Sequence, residues 1–107
     1  MASCPRNSSL LRPASDFLYY SEREEIRRRV METNPPLCVW CQEPLGDWRS
    51  DRPFTADHVV TRRAGGLYCE ENLVPSCKPC NNDRGDLSVL QYMHKRAARA
   101  ARAAAKS

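Results

Sequence analysis

Two pairs of cysteines, each with the spacing Cys-x-x-Cys, constrain this chain more than any other feature. Cys38 and Cys41 form the first pair, and Cys77 and Cys80 form the second. Two thiolates at this spacing can lie on one turn and reach the same ion, and four of them satisfy tetrahedral Zn²⁺. A chain of 107 residues buries little apolar surface to stabilise itself. The pattern therefore predicts a structural zinc ion that joins two distant segments.

A second set of residues, with nitrogen and oxygen donors, lies between and just after the two cysteine pairs. Residues 54–60 alternate well enough for a strand, which delivers Asp57 and His58 in opposite directions near its end. Downstream come a Gly-Gly turn, an Asn-Leu pair and an Asn that follows the last cysteine: Gly65, Gly66, Asn72, Leu73 and Asn81. In order and spacing, roughly residues 37–86 resemble the HNH endonuclease family.

The resemblance implies both a fold and a chemistry. The fold would be α+β, a small zinc-stapled ββα-metal domain with flanking N- and C-terminal helices. The activity would be that of a metal-dependent DNA endonuclease in which His58 is the general base. Asp57 and Asn81 would hold one catalytic cation, Mg²⁺ or Mn²⁺, and Asn72 would hold the catalytic loop. The chain departs from the family in having Thr61 for the usual Pro and Asn81 for the common His, which makes it an H-N-N variant.

The residue types suit these roles. A neutral imidazole near its ordinary pKa can take a proton from water at physiological pH, which fits His58. Carboxylate and amide oxygens are ligands that hard Mg²⁺ prefers. Several alternatives stay open: Asn81 as a helix cap, Asn82 as the true ligand, and Asn72 as a plain turn residue. The alternative function is a noncatalytic zinc module that binds nucleic acid.

Positive charge is concentrated at the C-terminal end. The formal net charge is +4, and residues 94–107 carry five cations and no acid. These cations are Lys95, Arg96, Arg99, Arg102 and Lys106. In a helix these cations would form one stripe, which predicts that the segment binds DNA, and we expect this DNA to be double-stranded. The alternative is that the segment is a solubilising tail. Arg62, Arg63 and Arg84 are further expected phosphate contacts, with solvated surface charge as the alternative.

Four segments follow from these patterns. They are a disordered lead (1–15), an N-terminal helix (16–36), the HNH nuclease domain with its zinc site and following helix (37–93), and a basic helical tail (94–107). Ser21, in the capping-box form Ser21-x-x-Glu24, predicts the start of the first helix. Asp86 or Ser88 would cap the last helix. The side chains expected in the core are Ile26, Val30, Trp40, Trp48, Leu87 and Leu90, with Met93 or His94.

The sequence also bounds the setting in which the protein works. No apolar run approaches the ~18 residues of a membrane span, and no signal peptide is apparent, which predicts a cytoplasmic protein without a membrane partner. A reducing compartment favours zinc over disulfides at the paired cysteines. By the resemblance, a phage or a mobile element is the expected source, and partner proteins such as phage packaging machinery remain unspecified.

Overall fold

The computed structural model describes residues 20–106, so the expected disordered lead lies outside the described residues. The elements are α1 (Tyr20–Thr33), β1 (Phe54–His58), a 3₁₀ turn (Glu70–Asn72), β2 (Leu73–Cys77), α2 (Lys78–Arg84) and α3 (Val89–Lys106). The predicted α+β fold, with its β1–β2–α2 order, is confirmed. Among residues 20–106, no helix is both long enough and apolar enough to cross a membrane.

Helix α1 packs one apolar face against the sheet. Ile26 and Val30, one helical turn apart, are buried against Phe54 of β1 and Leu73 of β2. The outer face carries exposed Arg–Glu pairs at i, i+4 spacing, with N–O distances of 2.9 Å. The core formed by α1 and the hairpin is therefore small, and it lies on one side of the sheet.

The two strands form an antiparallel hairpin with a polar face opposite this core. Their register runs from Phe54 opposite Cys77 to His58 opposite Leu73. Because side chains alternate along a strand, Phe54 and Ala56 face α1. Thr55 and Asp57 face the other way, where they contact side chains of α2. The hairpin thus separates the apolar core from a polar layer under α2.

Asn72 fastens the loop that joins the strands. Its Oδ1 accepts the Val60 N–H at 3.0 Å, and its Nδ2 donates to the carbonyls of Val60 at 3.1 Å and Leu67 at 3.0 Å. The loop closes so tightly that a Cβ at Gly66 would lie 1.8 Å from the Val60 oxygen. Glycine is therefore required at this position by close backbone approach.

Local sequence signals mark where α2 ends and α3 begins. Gly85, with φ of 56°, ends α2 and donates its N–H to the Asn81 carbonyl at 3.1 Å. Ser88 Oγ accepts the Gln91 N–H at 3.1 Å, and Gln91 Oε1 accepts the Ser88 N–H at 2.9 Å. This reciprocal capping box shows that Ser88, rather than Asp86, caps α3.

Helix α3 is docked by one aromatic residue and one carboxylate. Tyr92 is fully buried, and its ring meets Trp40 edge-on with centroids 5.4 Å apart. Asp83 of α2 accepts hydrogen bonds from Tyr92 Oη at 3.1 Å, from Lys95 Nζ at 3.2 Å and from Arg99 Nη1 at 3.0 Å. The Arg99 guanidinium, more than Lys95 and Tyr92, holds the pKa of Asp83 well below its usual range. Asp83 is therefore ionised at neutral pH and fixes the side of α3 that meets the domain.

Helix α1 is described from Tyr20, next to Ser21, near which the sequence predicts its start. Two sequence-based expectations about packing are corrected. Leu90 and Met93 of α3 are 82% and 55% exposed, because Tyr92 and the cations beside it set the face that docks. Trp48, expected in the core, is 79% exposed on the loop before β1. Of the two tryptophans, it is Trp40 that packs inside the domain.

Candidate metal centre and active site

The four paired cysteines converge on one point. Their Sγ atoms all lie within 4.8 Å of one another, and Cys38, Cys77 and Cys80 are buried. Among the described residues, they are the one group of three or more Cys, His, Asp or Glu side chains placed to share an ion. Zn–S bonds of about 2.3 Å imply sulfur–sulfur separations of about 3.8 Å in a tetrahedron. The 3.9 Å between Cys41 and Cys77 agrees with that value, so the cluster can bind zinc.

Each cysteine pair is shaped by its own backbone. In the first pair, Gln42 has φ of 66° and donates its N–H to the Cys38 carbonyl at 2.8 Å, which closes a tight turn. The N–H groups of Trp40 and Cys41 point at Cys38 Sγ, at 3.4 and 3.5 Å. The second pair spans the end of β2 and the first turn of α2. The two turns thus present their sulfurs to each other.

The thiols differ in how easily they ionise. Burial opposes ionisation of Cys38, but the N–H groups of Cys41, Cys77 and Trp40 outweigh burial and lower the pKa of Cys38 to about 6. Burial raises the pKa of Cys77, and it raises the pKa of Cys80 to about 12. The protein alone therefore favours the thiolate of Cys38 and disfavours those of Cys77 and Cys80. A bound cation would favour the thiolates of Cys77 and Cys80, with release of their protons.

Two guanidinium groups, neither of them assigned to this site from the sequence, also reach the sulfurs. Arg52, on the loop before β1, donates to Cys41 Sγ and Cys77 Sγ. Arg96 of α3, expected on DNA, instead donates to Cys80 Sγ at 3.7 Å and to Tyr92 Oη at 3.3 Å. No local motif marks Arg52, because only the closing of the loop brings it to the cluster.

His58, the expected general base, lies at the end of β1 and is half-buried. Its ring meets Tyr68 edge-on, with centroids 5.7 Å apart, and its Nε2 is buried with no hydrogen-bond partner among the described residues. Burial lowers the pKa of His58, Asp57 opposes that effect, and the nearby charges of Arg84 and Arg23 add to it. The imidazole is therefore neutral at physiological pH, as a general base must be.

Asp57 and Asn81, the expected cation ligands, lie on the α2 face of the hairpin. Asp57 is buried, and its Oδ2 accepts Trp40 Nε1 at 2.9 Å. Asn81 donates through Nδ2 to the hydroxyl of Thr55 at 3.0 Å. Thr55 and Asp57 are two positions apart on one face of β1, so Asn81 meets the same face of the strand that carries the Asp57 carboxylate. The neighbouring Asn82 is exposed.

Arg84 is a buried part of this site rather than a surface cation. It is 1% exposed, and it pairs with Asp57 Oδ2 at 3.2 Å. It also donates to the carbonyls of His58, Val59 and Leu87, the last two at 2.8 and 2.9 Å. This placement corrects the expectation that Arg84 contacts DNA, because a phosphate cannot reach a side chain with no exposed surface. Arg84 instead ties α2 to the end of the strand that carries His58.

The other expected DNA contacts lie in three places. Lys95 and Arg99 pair with Asp83 and fasten α3, so the predicted single basic stripe is interrupted. Arg102 and Lys106 are exposed on the part of α3 beyond these ion pairs. In the loop after β1, Arg62 and Arg63 are exposed, and Arg63 lies 3.8 Å from Asp86 in a surface pair.

Comparison with known proteins gives one result that bears on this site. The model of the HNH endonuclease family matches residues 38–87, which hold both cysteine pairs, the hairpin and α2. The predicted resemblance to the HNH endonuclease family is confirmed over this segment, which is just under half of the chain. A search of curated proteins gave no match. The domain indicates a nuclease-type or nucleic-acid-related function.

The cysteine cluster leads to a direct prediction about metal content. Cys77→Ser should abolish stoichiometric zinc binding and unfold the domain. Structural zinc can contribute on the order of 10 kcal/mol to folding, and a small domain's net stability is about 5–15 kcal/mol. Metal analysis of the purified protein and thermal melting by circular dichroism measure the two effects. Cys4→Ser, which changes a cysteine outside both pairs, should keep one zinc per chain. Full zinc content in Cys77→Ser would exclude this assignment.

Proposed function

We propose that this protein is a metal-dependent DNA endonuclease that hydrolyses phosphodiester bonds with His58 as its general base. The observation that carries the proposal is the state of His58 within an HNH domain. Its imidazole is kept neutral, and its Nε2 has no hydrogen-bond partner among the described residues. Unpartnered buried polar atoms are rare in structural positions, and a base needs one nitrogen free to accept a proton.

The surrounding residues suit the hydrolysis of a phosphodiester. The half-buried His58 imidazole would take the proton from the attacking water, and Arg84 would hold the strand end through its hydrogen bond to the His58 carbonyl. A divalent cation held by Asp57 and Asn81 would, when bound, neutralise charge on the phosphate and on the leaving oxygen. The Nδ2 bond from Asn81 to Thr55 leaves the Asn81 amide oxygen as its donor to such a cation. With Asp57 Oδ2 already engaged by Trp40 and Arg84, the other carboxylate oxygen, Oδ1, would be the ligand.

One observation favours the alternative, a noncatalytic zinc module that binds nucleic acid. Asp57 is buried in a pair with Arg84, as a purely structural carboxylate would be. A module of that kind needs no ionisable base at His58. The two functions therefore differ in whether phosphodiester bonds are broken and in whether His58 is required.

Plasmid cleavage tests the enzyme directly. Purified protein with supercoiled plasmid and Mg²⁺ or Mn²⁺ should yield relaxed or linear DNA, and EDTA should abolish the reaction. His58→Ala should lower cleavage by at least about 100-fold, the usual contribution of general base catalysis. Zinc content, melting temperature and DNA binding should stay close to the wild type, because His58 is outside the zinc site.

His94→Ala is the matched control, since it removes the other histidine of the chain from an exposed position on α3. It should cleave at the wild-type rate. Wild-type protein that binds DNA but leaves plasmid intact with either cation would establish the binding module instead. Undiminished cleavage by His58→Ala would show that the base is another group.

The environment of His58 predicts the pH dependence of cleavage. As the pH falls through the pKa of His58, the imidazole gains a proton and can no longer act as a base. Because that pKa lies below the ordinary 6.5, the midpoint of the acid limb of kcat/KM should lie below pH 6.5. Arg23→Gln, which removes one of the charges that lower this pKa, should move the acid limb toward higher pH. Arg28→Gln, on the exposed face of the same helix, should not move it. An acid limb at or above pH 6.5 in the wild type would contradict the assignment.

The free end of α3 predicts a limited electrostatic contribution to DNA binding. Deleting residues 100–107 removes Arg102 and Lys106 but keeps the ion pairs of Lys95 and Arg99 with Asp83. Each lost phosphate contact flattens the slope of log K against log[salt] by ~0.9, so the slope should flatten by about 2. Titrations at several salt concentrations measure it. The control for net charge is the double variant Arg28→Gln and Arg29→Gln, which removes two exposed cations from α1 instead. An equal change in that control would show that the tail has no specific contact with DNA.

A further inference from the structure

Every sulfur of the four-cysteine cluster has a donor aimed at it, and two of these donors are cationic. Arg52 Nη2 donates to Cys41 Sγ and, at 3.2 Å, to Cys77 Sγ. Arg96 Nη1 lies 3.7 Å from Cys80 Sγ. The remaining sulfur, that of Cys38, is served by backbone N–H groups. The donors are therefore distributed over the cluster, with a guanidinium at three of the four sulfurs.

The charge of a metal–thiolate centre explains why cationic donors would lie beside the sulfurs. A divalent ion bound to four thiolates leaves a net charge of −2, in a cluster whose cysteines are mostly buried. Buried charge is costly unless it is paired, and hydrogen bonds from a cation to an anion are stronger than neutral ones. Two guanidinium groups would balance the centre.

The position of Arg52 is built by the fold rather than left to a mobile side chain. Its carbonyl accepts the Gly46 N–H at 2.9 Å, which closes the loop before β1. Its Nε is buried and has no hydrogen-bond partner among the described residues. Burying Nε in this way is unfavourable, so what holds the guanidinium here is its contact with the sulfurs. Cys41 and Cys77 belong to different cysteine pairs, so Arg52 also links the two halves of the centre.

We propose that Arg52 is a positioning residue of the zinc centre, bridging the two cysteine pairs and strengthening metal retention, and that Arg96 does the same for Cys80 from α3. Donors outside the ligand shell commonly change metal affinity by about 10–100-fold. The proposal rests on zinc being the ion that the four cysteines bind. The opposing interpretation is that Arg52 is the counter-ion of the metal-free thiolates and competes with zinc. The two interpretations predict changes of opposite sign when Arg52 is neutralised.

Zinc transfer from the full chain to a chromophoric chelator tests the proposal. Arg52→Gln should lower the apparent zinc affinity by about 10–100-fold, and Arg96→Gln should lower it less, because its contact is longer and involves one sulfur. Arg49→Gln is the matched control: Arg49 lies on the same loop, and its guanidinium stacks on the exposed Trp48 ring, 4.8 Å from the centroid. It should retain zinc like the wild type.

A second readout is independent of affinity. With Co²⁺ in place of zinc, the sulfur-to-metal charge-transfer absorption should shift in Arg52→Gln, because a donor to two of the ligand sulfurs is lost. Arg49→Gln should leave this absorption unchanged. Each variant should still bind one metal ion at saturation, since all four cysteines are kept.

The outcomes separate the possibilities. Unchanged zinc affinity in Arg52→Gln overturns the proposal, and higher affinity establishes Arg52 as a competitor of the metal. If Arg52→Gln does not fold, Arg52→Leu decides, because it removes the nitrogen that donates to both Cys41 Sγ and Cys77 Sγ and leaves no polar side-chain atom buried in its place. Zinc retention equal to the wild type in Arg52→Leu would then overturn the bridging role. A wild-type chain that binds no zinc would instead overturn the assignment of the four cysteines.

Discussion

The convergence of four cysteine sulfurs is the interaction on which the rest of this structure depends. The apolar cluster beneath α1 has four buried members: Ile26, Val30, Phe54 and Leu73. So small a core offsets little of the chain entropy lost on folding. A metal bound by two turns nearly forty residues apart in sequence would fix the loop before β1, the end of β2 and the start of α2 together.

A chain of buried polar contacts links the cysteine cluster to the strand that carries His58. Trp40, within the first cysteine pair, donates to Asp57, and Asp57 pairs with Arg84. Arg84 in turn binds the backbone that follows β1. Its guanidinium also lies over the Trp40 ring, 5.0 Å from the centroid. Because an unpaired charge in this interior would be costly, each partner depends on the others, and the end of β1 is held rigidly.

Helix α3 shows how one run of cations divides into different roles. Arg96 turns to the cysteine cluster, while Lys95 and Arg99 meet Asp83. These contacts, with buried Tyr92, dock the first part of the helix and leave its apolar residues Leu90 and Met93 exposed. The cations nearest the domain thus serve its assembly. Those further along remain exposed, where an anionic partner can reach them.

The sequence by itself determined the cysteine cluster, the ββα order and the positions of Asp57, His58, Asn72 and Asn81. Those features are encoded in short spacings and turn residues, which act locally and so can be read along the chain. The end of α2 at Gly85 and the start of α3 at Ser88 could be predicted for the same reason, because local caps set them.

The tertiary structure alone decided the roles of the arginines and the large apolar side chains. Arg84 and Arg52 are ordinary surface candidates in the sequence, and they become interior partners only because folding brings a carboxylate and two sulfurs to them. Trp48 and Leu90 are exposed for the converse reason, since no element of the described chain packs over them. A long side chain takes its function from the charges that surround it in space, and those charges come from distant parts of the chain.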